Sequence, residues 1–184
     1  MSARALLLAG LLAPSTVTGA QEARIEQLHV QRDGQRLLVS FELVDGVDEP
    51  MLNKIQSGLP TELEYTFRLH RPRTWWFDKT YSRSTLQIIA MYNAVTQEYL
   101  INYKQDGRLI ESRVVTDLQA LHQAMALINA LPVFGDIEDE PPQRTQLQVR
   151  ADFGQRHVLL LFPTRINTSW ARFRIVDAAL APSE

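Results

Sequence analysis

The sequence predicts an α+β fold, mainly antiparallel β, with about eight strands in a sheet or sandwich and two packed helices. Three observations predict it. Apolar and polar residues alternate with period two along several stretches. Asp-Gly pairs stand between two couples of those stretches. Two short segments instead space their apolar residues as a helix does.

The elements follow in chain order. A strand over 25–31 is joined through Asp33-Gly34 to one beginning at Gln35, in which Leu37, Val39, Phe41 and Leu43 alternate with Leu38, Ser40, Glu42 and Val44. Asp-Gly suits a type I′ turn, whose two central residues need positive φ. Asp48 and Pro50 start a short helix, with Leu52 and Ile55 facing inward and Gly58 as its C-terminal cap. Leu63, Tyr65, Phe67 and Leu69 form the dry face of the next strand, and Glu62, Glu64, Thr66, Arg68 and His70 its wet face. Leu86, Ile88, Ala90 and Tyr92 make a further stripe, and Tyr99, Ile101 and Tyr103 another. Asp106-Gly107 turns the chain into a strand over 109–115. Thr116 and Gln119 read as a capping box for a second helix, whose face is Leu118, Leu121, Met125 and Ile128 and whose stop is Pro132. Leu147, Val149, Ala151 and Phe153 form one more stripe, and 158–162, apolar on both faces, reads as a central strand. Residues 135–144 read as a mobile, acidic and Pro-rich surface loop, and the tail after Asp177 as frayed.

The spacing also permits an internal ββαββ pseudo-repeat with halves 23–92 and 97–177. Gln31-Arg32-Asp33-Gly34 runs through a strand and a helix to Leu59-Pro60, and Lys104-Gln105-Asp106-Gly107 runs likewise to Leu131-Pro132. The alternative is coincidence within one α+β domain, since strand–strand–helix is a common unit.

The first twenty residues set an expected address. Arg4 precedes an apolar run over 5–13, Pro14 and Ser15 break it, and Thr18-Gly19-Ala20 offers small residues for a signal peptidase. The run is shorter than the ~20 residues that span a bilayer. The expectation is a secretory signal over 1–20, cleaved after Ala20, and a single periplasmic domain over 21–184. Without Arg4 the chain carries 18 basic against 21 acidic residues, a net charge of -3. That points away from nucleic acid, which asks for a basic face.

No catalytic, cofactor-binding or metal-binding constellation emerges. With no cysteine, thiolate chemistry and Cys-ligated metals are excluded. His29, His70, His122 and His157 show no metal-ligand spacing and read as surface or boundary residues. There is no G-x-S-x-G and no Ser-x-x-Lys, and eight glycines form no phosphate-cradling cluster. Asp136, Glu138, Asp139 and Glu140 lack the glycine-turned loop of a calcium site. The segment 71–79 stands apart: Arg71, Arg73, Trp75, Trp76 and Phe77 mix arginines with aromatic rings, and Arg68 lies just before them. Displayed, such a set is a partner-binding surface. Turned inward, its rings cap the sheet core with the arginines at the rim. Both readings stand on sequence alone.

The run Gly58-Leu59-Pro60-Thr61-Glu62-Leu63-Glu64-Tyr65-Thr66-Phe67-Arg68-Leu69, the following Arg71 and Arg73, and Tyr92-Asn93-Ala94-Val95-Thr96-Gln97-Glu98-Tyr99 resemble a family of exported bacterial proteins, domain of unknown function 4390. The likeness covers most of the chain after residue 20. It implies an extracytoplasmic protein with no assigned activity and no catalytic residues to carry over. Members are often encoded beside a two-component sensor kinase of the nitrogen-regulation type, which implies an accessory role in envelope signalling. One departure concerns the C-terminal part: the family tends to follow a Leu-Pro-rich segment with tryptophans, while here 159–163 precedes a single Trp170. The expected function is therefore that of a non-enzymatic envelope protein that contacts a membrane sensor kinase or another envelope component. The alternative is a carrier or sensor of a small apolar ligand held between sheet and helices, lined by Tyr65, Phe67, Tyr92 and Tyr103.

Overall fold

The computed structural model describes residues 22–71, 79–135, 145–158 and 162–175, with the backbone alone for 71, 79–81, 155–158 and 162–166. The expected signal over 1–20, the loop over 136–144 and the tail after Asp177 lie outside the described residues. Ten strands and two helices are described, in the order β1 (Arg24–Asp33), β2 (Arg36–Val44), α1 (Glu49–Gln56), β3 (Thr61–Arg71), β4 (Lys79–Asn93), β5 (Glu98–Gln105), β6 (Arg108–Val115), α2 (Leu118–Ala126), β7 (Leu127–Val133), β8 (Gln146–Val158), β9 (Phe162–Asn167) and β10 (Ala171–Arg174). Each strand pairing among them is antiparallel.

The strands divide into two sheets. The smaller has the order β1-β2-β7; the larger runs β10-β8-β3-β4-β5-β6, with β9 also on β8. The period-two stripes explain how they meet. Leu37, Val39, Phe41 and Leu43 of β2 are buried, as are Leu63, Tyr65, Phe67 and Leu69 of β3. The ring of Phe41 meets Tyr65 edge-on at 4.9 Å and Phe67 at 6.0 Å, so the two sheets share one core. Leu86, Ile88, Ala90, Tyr99, Ile101, Tyr103, Leu147, Val149 and Ala151 complete the inner face of the large sheet.

Helix α1 forms as its sequence predicts. Asp48 is the N-cap, its carboxylate accepting from the Met51 amide at 3.0 Å, and Pro50 sits in the first turn. Met51 and Ile55 are buried, Leu52 is half-buried, and Gly58 follows with φ +80°.

Helix α2 departs from expectation at both ends. Its N-cap is Asp117, not Thr116: the Asp117 carboxylate takes the Ala120 amide at 2.7 Å, which leaves Gln119 no part in a capping box. Its stop is Ala126, not Pro132, and Ile128 and Pro132 belong to β7. A helix that ends without glycine leaves carbonyls to be satisfied. Here the Leu127 amide donates to the Gln123 carbonyl, the Tyr103 hydroxyl to Ala124 at 2.9 Å and the Tyr65 hydroxyl to Met125 at 2.8 Å. Two tyrosines of the large sheet thus cap the helix, and the chain passes straight into a strand. Pro132 is tolerated because β7 is an edge strand, paired with β2 alone among the described residues.

Three further differences concern pairing. The first hairpin loop is Gly34-Gln35, with positive φ at Gly34 and not at Gln35, so its phase differs from the expected Asp33-Gly34 type I′ turn. The second, Asp106-Gly107, has positive φ at both residues, as type I′ requires. Val158 and Phe162 pair with each other at the end of the β8–β9 hairpin rather than forming one central strand. The element order ββαββ does occur twice, but β3 and β4 form a hairpin while β7 and β8 lie in different sheets.

Candidate functional site

Side chains alternate along β3, so the residues opposite its buried stripe share the outer face of the large sheet. Register then fixes their neighbours. Arg68 lies opposite Arg83 on β4 and Gln148 on β8, and Gln148 lies opposite Arg172 on β10. One step along, Thr66 is flanked by Thr85 and Arg150. Four arginines from four strands therefore gather on one face, toward the strand end where Arg71 pairs with Lys79.

Trp170 completes the cluster. Strands β9 and β10 lie end to end along β8, and the residues between them are pinned at Thr168, whose amide donates to the Ala151 carbonyl at 2.9 Å and whose hydroxyl accepts from the Ala151 amide at 3.1 Å. Two residues later, the Trp170 ring has the Arg68 guanidinium 4.3 Å and the Arg150 guanidinium 4.7 Å from its centroid. Thr66 and Gln148, on the same outer face, are buried although the core lies on the other side, so this part of the face is covered.

The electrostatics of the cluster are unfavourable in isolation. Partial burial, then the like charges of Arg83 and Arg150, pull the Arg68 guanidinium below its ordinary value. The Arg150 Nε is buried with no hydrogen-bond partner among the described residues. Among the described residues, no ion pair to a carboxylate offsets Arg68, Arg83, Arg150 or Arg172. A planar donor fork left unpaired beside an aromatic face matches a carboxylate or phosphate oxygen.

An open groove of ≈ 520 Å³ is lined by Arg83 together with Arg36, Ser82, Ser84, Gln105, Asp106 and the end of β7. Its carboxylate is already engaged. The Asp106 oxygens accept from the Ser84 hydroxyl at 2.9 Å and the Thr85 amide at 2.8 Å, which ties the β5–β6 turn to β4. Among the described residues, no three His, Cys, Asp or Glu side chains converge as a metal site. No helix of the described residues is long and apolar enough to cross a membrane.

Of the residues singled out from sequence, Arg71 closes the β3–β4 ladder opposite Lys79. Arg73, Trp75, Trp76 and Phe77 lie outside the described residues. In the sequence they follow Arg68 by a few positions. Sequence reasoning did not find Arg83, Arg150, Arg172 or Trp170. Arg150 and Arg83 occupy the polar phase of their strands, the ordinary place for a solvated charge, and only the β3–β8 and β3–β4 registers bring them to Arg68.

No curated protein and no solved structure matches the chain. A family model does, over residues 20–171, and the chain belongs to that family, described as Domain of unknown function (DUF4390).

Proposed function

We propose that this chain is a non-enzymatic extracytoplasmic binding protein that docks an acidic segment of an envelope partner on the outer face of its large sheet. Residues 1–20 direct export, and cleavage after Ala20 releases a periplasmic domain. The observation that carries the binding role is the set Arg68, Arg150 and Trp170: two guanidiniums over one indole, with the Arg150 Nε lacking an acceptor among the described residues. A partner carboxylate there gains charge-assisted hydrogen bonds in a partly desolvated setting. The partner also contacts Arg71, Arg73, Trp75, Trp76 and Phe77, the arginine and aromatic set that follows Arg68 in the sequence. The genomic company of the family makes the extracytoplasmic region of a membrane sensor kinase the first partner to try.

The alternative, a carrier of a small apolar ligand between sheet and helices, has less support. Tyr65, Phe67 and Tyr103 are buried in the shared core, and the two tyrosine hydroxyls are committed to the end of α2.

The test is photo-crosslinking in intact cells from a probe at exposed Arg172. A partner adduct is expected, lost in Arg68→Glu with Arg150→Glu and weakened in Trp75→Ala with Trp76→Ala. An adduct indifferent to the arginine pair would sink the outer-face site. Mass spectrometry of the osmotic-shock fraction checks the address: an N-terminus at Gln21 is expected, and an intact Met1 in the cytoplasm would overturn it.

A further inference from the structure

We propose that two copies of this chain associate through their β6 strands, antiparallel, about a two-fold axis at Ser112. Among the described residues β6 pairs with β5 alone, so one full side of this eight-residue strand is an open sheet edge. Natural edges are blunted by shortness, bulges, proline or charge. Three other edges here are. Strand β10 has four residues with Arg172 and Arg174, β1 is broken by a bulge between Glu26 and His29, and β7 carries Pro132 and a positive φ at Ala130. Strand β6 instead displays Leu109, Ile110 and Val114 at 60%, 49% and 55% exposure. Its irregularity lies opposite Tyr103 and Lys104, and Glu111–Val115 pair with β5 in unbroken register.

The sequence of the edge names its occupant. Leu109-Ile110-Glu111-Ser112-Arg113-Val114-Val115 reads as two apolar residues, acid, Ser, base, two apolar residues. Turned about Ser112, the strand complements itself. Glu111 faces the second copy's Arg113, and Ile110 faces its Val114. A centre at Glu111 sets two carboxylates against each other, and a centre at Arg113 sets two guanidiniums, so charge selects Ser112. Within one chain the Arg113 guanidinium already donates to the Glu111 carboxylate at 2.8 Å, with both side chains about half exposed. Pairing brings each of these groups a second, opposite partner and extends the sheet across the axis. The interface is isologous and closes at two copies.

Because the chain has no cysteine, Ser112→Cys places a single thiol on the axis. Directly opposed Cα atoms in an antiparallel pair are ~4.5–5.5 Å apart, within the span of a disulfide. Under mild oxidation Ser112→Cys is expected to give a covalent dimer much faster than Val95→Cys, whose site in the β4–β5 turn is 92% exposed. By sedimentation equilibrium the unsubstituted protein is expected to show a monomer–dimer equilibrium. Glu111→Arg alone and Arg113→Glu alone should each weaken it about ten-fold, since each sets like charges across both halves of the seam. The swap Glu111→Arg with Arg113→Glu should restore it. A protein monomeric throughout, a dimer indifferent to Glu111→Arg, a swap that restores nothing, or equal crosslinking from Val95→Cys would each overturn the proposal. A strand supplied by another protein gives the first of these results.

Discussion

Replacing Tyr65 by Phe removes one oxygen and leaves the ring in place, which isolates the cap on α2. Tyr65 is fully buried, and its hydroxyl is 2.8 Å from the Met125 carbonyl. The lost hydrogen bond is worth about 1 kcal/mol net, and a buried carbonyl without a donor costs about 1–3 kcal/mol. Regained burial of a less polar ring offsets part of this, so the expected loss is about 2 kcal/mol. For a domain of this size that lowers Tm by roughly 4–8 °C. Urea unfolding followed by far-ultraviolet circular dichroism measures it, with an unchanged m-value as the sign that only stability moved. Tyr103→Phe acts on the neighbouring Ala124 carbonyl and should cost somewhat less, because Tyr103 lies nearer the surface. The two losses should couple, since both hydroxyls hold one helix end. A cost below about 0.5 kcal/mol for Tyr65→Phe would refute the claim that this hydroxyl lets the helix end without glycine.

Other consequences are as direct. Burial, and secondarily the neighbouring Tyr103, pushes the Tyr65 phenol up from its ordinary 10.0. The unfolded chain therefore loses this proton first as pH rises. The resulting stability is fully present below pH 10 and should fall by about 1.4 kcal/mol per pH unit above it, a slope that Tyr65→Phe removes in alkaline urea titrations. Asp106→Ala deletes acceptors for the Ser84 hydroxyl and the Thr85 amide and should cost about 2 kcal/mol, with faster amide exchange at Thr85; unchanged exchange would mean the turn is held otherwise. Arg150→Met removes a buried donor without an acceptor and a like charge near Arg68, at the loss of one cation–π contact. It should leave stability unchanged or raise it by about 1 kcal/mol while abolishing the partner adduct; a loss of stability beyond 1 kcal/mol would make the cluster structural.

What the sequence made legible follows from the range of each signal. Period-two stripes are local, and those of β2, β3, β4, β5 and β8 face the core as they read. The capping of α1 by Asp48 and the Asp106-Gly107 turn are also local, and both appear. Misplacements begin where two local signals compete or where a distant group decides. Thr116 and Asp117 are both good caps, and spacing alone does not rank them. Leu118, Leu121, Met125 and Ile128 keep helical spacing, so nothing nearby announces that the helix ends at Ala126. Its end is made affordable by Tyr65 and Tyr103, 60 and 21 residues from the carbonyls they reach. The Arg–Trp cluster lies further still from local reading, since Arg68 and Arg150 meet only through the β3–β8 register and Trp170 reaches them from a connection.

Where the fold's own needs dominate, polar groups are matched. The Tyr65 and Tyr103 hydroxyls meet helix carbonyls, Ser84 and Thr85 meet Asp106, and Thr168 closes the gap between β9 and β10. The Arg68, Arg83, Arg150 and Trp170 face breaks that pattern. Directly opposed like charges destabilise a sheet, yet Arg68 and Arg83 are register partners. A buried donor costs free energy without an acceptor, yet Arg150 Nε has none among the described residues. Like charges also face each other elsewhere on this sheet, where Glu64 lies opposite Asp152, but there Gln87 of β4 donates to Glu64 and the Gly154 amide to Asp152. Like charges and a buried donor left without such partners among the described residues are the local violation expected of a surface shaped by something it binds. The sign of the violation then fixes the chemistry of that partner. Surplus guanidinium charge with open donors is relieved by carboxylate or phosphate oxygens and aggravated by cations, which is why an acidic segment is the partner the outer face supports.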